Sequence, residues 1–167
     1  MNFVPLESLH GTTEFVSHDD IPEKLAAACM LLSALIHVKD ERDPSLLDLD
    51  TVNDLAFYRE EGGAIEVAIR DDLESTVVGI ISTSVRTDDD CTYTWVDLLA
   101  VDQQKKIPGT GRALLNRAET LARVRSHDYV GMLAYEESQG FYTHLGYGNN
   151  PTMTSYTESR YMRKTVT

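Results

Sequence analysis

The sequence turns on Val101-Asp102-Gln103-Gln104-Lys105-Lys106-Ile107-Pro108-Gly109-Thr110-Gly111-Arg112. An apolar run ends at Val101, two glycines follow, and an amphipathic pattern starts at once, so the segment reads as strand, tight loop and helix start. Such a loop can bind an anion. Gly109 and Gly111 reach backbone angles closed to other residues and put no Cβ in the path of a phosphate. The first helical turn then offers unpaired N–H groups and the positive end of the helix dipole. Lys106 and Arg112 supply full charge. The bare pattern fits an ordinary strand-to-helix turn equally well.

Two familiar phosphate loops are excluded. A nucleotide-triphosphate P-loop needs Lys and Ser/Thr after its last glycine, and Gly111 is followed by Arg112-Ala113. A dinucleotide fingerprint needs a third glycine where Leu114 stands.

Downstream, Thr110 to Arg125 sets Leu114, Ala118, Leu121 and Ala122 on one stripe, with Arg112, Glu119 and Arg123 outside it, as a helix packed on a sheet would. Tyr129 to Ala134 reads as a short strand, Glu136 to Leu145 as a helix, and Thr152 to Lys164 as holding one more hairpin strand. Upstream, Thr92 to Val101 is the central strand. Thr76 to Arg86 and the alternating Ile65, Val67 and Ile69 precede it, which predicts three consecutive antiparallel strands. Further back, Glu23–His37 and a stretch from Ser45 or Asp50 to about Glu61 read as helices, joined by a charged loop over Lys39 to Asp50. Thr13 to Val16 fits a first edge strand.

Composition narrows the function. With 167 residues the chain has the size of a single domain able to bury a core and carry a cleft. No apolar run approaches the roughly 20 residues that cross a bilayer, and the N-terminus lacks a signal pattern, which implies a soluble, cytoplasmic protein without a membrane partner. Cys29 and Cys91 make no disulfide framework, and the five scattered histidines have no zinc-ligand spacing, so no metal is expected. The formal net charge is −12, which disfavours a nucleic-acid partner and favours cationic substrates such as amines.

The loop, as Lys106-x-x-Gly109-x-Gly111, resembles the acetyl-CoA pyrophosphate loop of the GCN5-related N-acetyltransferase (GNAT) superfamily, Arg/Gln-x-x-Gly-x-Gly/Ala. A second segment, Gly140-Phe141-Tyr142-Thr143-His144-Leu145-Gly146-Tyr147, resembles the same superfamily's FY-x-x-LGF element, in the right order and at the right distance. The resemblance runs from about Val77 to Tyr147. It implies an α+β fold: a mixed, mostly antiparallel sheet of six or seven strands, flanked by about four helices and splayed between its two central strands. It also implies acetyl-CoA as cosubstrate, held by the main chain of Leu99, Ala100 and Val101 and by Lys106, Ile107, Gly109, Thr110, Gly111 and Arg112. The acidic residues Asp40, Glu41, Asp43, Asp48 and Asp50 would then stand near the acceptor entrance.

The implied reaction is direct attack of a primary amine, on a small molecule or a protein, at the acetyl thioester. It needs an oxyanion donor, expected at a strand-edge N–H near Leu99, a base for the amine proton and an acid for the departing thiolate. Tyr142 matches the tyrosine that serves as acid in many members; a phenol is protonated at neutral pH. Asp97 is the candidate base. Strict alternation puts it on the strand face of Leu99 and Val101, and apolar neighbours would raise its pKa. Glu136 and Glu137 are reserve candidates. Three departures bear on the cofactor and acceptor: Lys106 replaces Arg or Gln, Pro108 removes an N–H from the cradle, and Tyr135 stands where many members have Asn. The last two favour the rival reading, an acyl-CoA-binding or sensing module without turnover. A tRNA-acetylating toxin on the same fold is disfavoured by the charge, and a homodimer is left open.

Overall fold

Alternating apolar residues make the central strands. The computed structural model describes residues 2–5, 63–69, 77–88, 91–104, 107–150 and 159–166. In it β1 (Asn2–Pro5), β2 (Ala64–Ile69), β3 (Val77–Asp88) and β4 (Cys91–Val101) form an antiparallel meander. They are followed by α1 (Thr110–Val124), β5 (Tyr129–Tyr135), α2 (Glu136–His144), β6 (Gly148–Asn149) and β7 (Ser159–Thr165). The sheet has seven strands in the order β1-β2-β3-β4-β5-β7-β6. Among the described strands only β4 and β5 run parallel, because α1 carries the chain back across the sheet between them.

The three expected antiparallel strands, the helix after the glycine loop, the strand after it and the second helix stand within a few residues of their anticipated bounds. Two short strands, β1 and β6, were not anticipated. The anticipated strand at Thr13–Val16, both N-terminal helices, the acidic loop between them and Cys29 lie outside the described residues.

The core is built where α1 meets the sheet. Gly79 makes that approach possible: a Cβ there would meet Leu114 Cδ1 and Thr110 Cγ2 at 3.0 Å. Leu114, Leu115, Ala118 and Ala122 of α1 pack with Ile81, Val96, Val130, Met132, Ala134 and Met162 from the strands, joined by Tyr142 and Tyr147. Burial of such side chains is worth about 1.5–3 kcal/mol each.

One helical residue departs from expectation. Glu119, expected outside the apolar stripe, is 4% exposed. Its carboxylate accepts from Lys164 Nζ at 2.8 Å and from the Tyr147 hydroxyl at 3.2 Å, with Arg123 Nη2 at 3.4 Å. A charge tolerates that burial because partners from β7 and from the segment after α2 satisfy it.

The other face of the sheet carries an aromatic cluster. Tyr93 stacks on Tyr129 with centroids 4.5 Å apart, and Trp95 lies 5.8 Å from Tyr161. Gly131 leaves room for the indole, since a Cβ there would meet Trp95 Cε3 at 3.1 Å.

Candidate active site

The parallel pairing of β4 and β5 covers only Thr94, Trp95 and Val96, opposite Val130, Gly131 and Met132. Beyond that point β4 continues against β3 as far as Val101, while β5 continues against β7. The sheet is therefore split between Asp97–Val101 on one side and Leu133–Tyr135 on the other. A split leaves a row of backbone groups without a strand partner, able to bind an amide-bearing chain.

The phase of that row follows from the ladder. Asp102 N–H donates to Val78 C=O at 3.0 Å, so the polar groups of Asp102 point at β3. By the two-residue alternation of an antiparallel pair, Ala100 also points at β3, and Leu99 and Val101 turn their backbone groups to the gap.

A bulge changes the face reading of Asp97. Ser82 pairs with Leu98 but Thr83 pairs with Val96, so Asp97 is an extra residue on β4. Leu99 and Val101 pack against the core on the α1 face. The Asp97 carboxylate instead accepts from Ser84 Oγ at 3.0 Å and from Arg86 Nη2 at 3.4 Å, both side chains of the opposite face. The expectation that Asp97 shares a face with Leu99 and Val101 is thus corrected, because the inserted residue resets the alternation.

The environment of that carboxylate is unusual. Its side chain is 4% exposed, and Oδ2 has no hydrogen-bond partner among the described residues. Burial pushes its pKa above the ordinary carboxylate value, against the opposing pull of Ser84 and Arg86. Arg86 is itself held over the Trp95 ring at 4.5 Å.

Tyr142 occupies the other side. It lies on α2 in the core cluster that α1 also joins, with its ring 5.2 Å from Phe141 and 6.0 Å from Tyr147. Burial raises the phenol pKa, so the proton is firmly held at neutral pH. Asp97 and Tyr142 therefore belong to opposite faces of the split sheet.

The glycine loop ends at the helix as anticipated. Gly109 caps α1 with φ 87°, a left-handed value that a residue with a Cβ adopts only under strain. Ile107 C=O accepts from the Thr110 amide at 3.1 Å and from its hydroxyl at 2.7 Å, and Ala113 N–H closes on Gly109 C=O at 2.9 Å. The amides of Gly111 and Arg112, in the first turn, have no intrahelical acceptor and point outward along the axis. Gly111 serves a second purpose, since a Cβ there would meet Phe141 Cζ at 3.2 Å. This ties α2, which carries Tyr142, to the loop. Arg112 is exposed at this end, and Lys106 lies outside the described residues.

The reserve candidates Glu136 and Glu137 are exposed in the first turn of α2, and Tyr135 caps that helix at 59% exposure. Ser82, not singled out in the sequence, is fully buried on β3, with its Oγ unpartnered among the described residues. Among the described residues no group of three or more His, Cys, Asp or Glu side chains could hold a metal, and no helix is long and apolar enough to cross a membrane.

The fold is that of the GNAT acetyltransferases. Similar solved structures include a GNAT-family acetyltransferase from Staphylococcus aureus Mu50, at 16% identity over 99% of each chain and a TM-score of 0.64. An aminoglycoside 6'-N-acetyltransferase complexed with coenzyme A is 14% identical, over 100% of this chain and 98% of that one, with a TM-score of 0.68. The PaiA N-acetyltransferase from Thermoplasma acidophilum, in complex with coenzyme A, is 12% identical over 99% of each chain, with a TM-score of 0.64. No protein-family profile matches the sequence, and no curated protein does.

Proposed function

We propose that this protein is an acetyl-CoA-dependent N-acetyltransferase acting on a primary amine. The observation that carries the reading is the split between β4 and β5, bordered by a glycine-capped helix N-terminus and by a buried carboxylate and a buried phenol on opposite faces. Two structures of similar fold are complexes with coenzyme A, which supports a coenzyme A site in this chain.

In this reading the amides of Gly111 and Arg112, with the Arg112 side chain and Lys106, hold the diphosphate, and Gly109 gives the loop its turn. Ile107 and Thr110 fix the loop to the helix start. Leu99, Ala100 and Val101 form the strand edge along which the pantetheine lies, with the gap-facing groups of Leu99 and Val101 making the contacts. Acetyl-CoA supplies the activated acyl group. Asp97 Oδ2 takes one proton from the acceptor ammonium, whose freed lone pair attacks the acyl carbon to give a tetrahedral oxyanion; as that collapses and the C–S bond breaks, the nitrogen gives up its second proton to solvent, from which Tyr142 is afterwards reprotonated. The Leu99 N–H stabilises charge developing on the acyl oxygen, and Tyr142 delivers its proton to the departing sulfur.

The test is release of free thiol from acetyl-CoA by purified protein across a panel of amines. Amine-dependent release, lowered about 100-fold in Tyr142→Phe with coenzyme A affinity unchanged, supports the reading. Coenzyme A binding without thiol release would instead identify a binding or sensing module, and full activity in Tyr142→Phe would remove the acid.

A further inference from the structure

Two buried side-chain polar atoms lack a hydrogen-bond partner among the described residues: Asp97 Oδ2 and Ser82 Oγ. They are neighbours in the register. Ser82 pairs with Leu98, next to the bulged Asp97, and Ser84, which holds Asp97 Oδ1 at 3.0 Å, lies two residues along the same strand face as Ser82. Ser84 and Arg86 both engage Oδ1, so the carboxylate is fixed by one oxygen and presents the other. Ser82 is 0% exposed and the Asp97 side chain 4%. Leaving a buried acceptor unmade costs folding free energy, and more when it is charged, so two orphans neighbouring in the register mark a place where a ligand supplies donors.

We propose that Asp97 Oδ2 and Ser82 Oγ together seat the primary ammonium group of the acceptor, which makes alkylammonium compounds, rather than neutral aryl amines or alcohols, the substrate class of this site. The assignment rests on the acyl-transfer reading above and narrows it. The donor count supports it. An ammonium carries three N–H donors and one positive charge, enough for a carboxylate oxygen and a hydroxyl oxygen at once. An alcohol brings one donor and an aryl amine brings no charge at neutral pH. Arg86 does not compete for the seat, since its guanidinium sits on Oδ1 and over Trp95. When Oδ2 takes one proton, Ser82 Oγ still accepts from the nitrogen, which keeps the amine in place as its lone pair becomes available. Ser82 thereby acts as a positioning residue for the acceptor.

The test measures binding apart from turnover. Calorimetric titration of n-butylammonium, aniline and n-butanol into the protein saturated with coenzyme A is done for wild type, Ser82→Ala and Asp97→Asn. Thermal melts confirm that each variant is folded. The expected result is binding of n-butylammonium alone, weakened at least tenfold in Ser82→Ala and lost in Asp97→Asn. In turnover, Ser82→Ala should raise the KM for n-butylamine by a similar factor with kcat within about threefold. Equal binding of aniline, no binding of n-butylammonium, or an unchanged Ser82→Ala overturns the seat. Transfer at unchanged KM in Ser82→Ala would remove the seat and leave acyl transfer standing. Butylammonium binding without thiol release would do the reverse.

Discussion

Asp97 carries two opposed demands at one residue. Its burial raises its pKa, so at neutral pH the ionised form costs folding free energy that the neutral form would not. A carboxylate whose folded pKa lies above its unfolded value contributes stability only at low pH, and loses it as pH rises through the folded pKa. Asp97→Asn should therefore melt no lower than wild type at pH 7, while kcat/KM falls roughly 100-fold and the acid limb of the pH–rate profile disappears. A lower melting temperature together with an unchanged profile would count against both statements. His127 runs the other way. It is buried with Nδ1 2.9 Å from Thr94 Oγ1, and burial, aided by Arg125, holds its pKa below the ordinary value. The folded state thus favours neutral imidazole, and stability present above about pH 6.5 is lost as pH falls through the depressed folded pKa. Denaturant titrations at pH 7.5 and pH 5 should show that loss, and His127→Gln should flatten the histidine share of it.

At the scale of elements, two joints hold the site. The first is the cap of α1. Gly109→Ala forces a Cβ into φ 87°, which costs about 1–2 kcal/mol in the left-handed region. Coenzyme A affinity should fall about tenfold as the loop amides turn, roughly one lost charge-assisted hydrogen bond. An alanine variant with wild-type affinity would mean that the cap does not shape the anion site. The second joint is Glu119, which links α1 to β7 through Lys164 and to the segment after α2 through Tyr147. Glu119→Ala should destabilise by about 2 kcal/mol, less than the roughly 3–5 of a fully buried pair, because Lys164 keeps 31% exposure and can turn to water. Loss of less than about 0.5 kcal/mol in urea unfolding would show the network to be passive.

These elements also show what local pattern can carry. The alternation of β2, β3 and β4, the glycine loop, the stripe of α1 and the span of α2 were legible, because each is a local period with a clear start or stop. The bulge was not, since Trp95-Val96-Asp97-Leu98 keeps an unbroken strand composition and only the pairing with Ser82 and Thr83 reveals the extra residue. For the same reason the face of Asp97 was misread while its position beside the gap was not. Glu119 was placed outside the stripe because its partners come from Tyr147 and Lys164, far along the chain. The strands β1 and β6 are too short to show a period, and exist because a neighbouring strand offers them an edge.

At the scale of the whole molecule, the step from β4 to β5 is the one parallel pairing among the described strands, and it creates the split that the proposed function uses. The helix that makes the parallel crossover also delivers its N-terminus to the end of that split. The proposed cofactor loop, strand edge and acid thus come from one continuous stretch, β4 to α2. The proposed base, Asp97, faces the other side with Ser84 and Arg86, and the chain's net charge of −12 favours approach of a cation in general. The most direct measurement is an amide chemical-shift titration of the labelled protein with coenzyme A. Saturable shifts should concentrate at Leu99, Val101, Gly109, Gly111 and Arg112, the residues bordering the gap and the helix start. Shifts absent there at millimolar coenzyme A, or confined to other parts of the sheet, would contradict acyl transfer at this site.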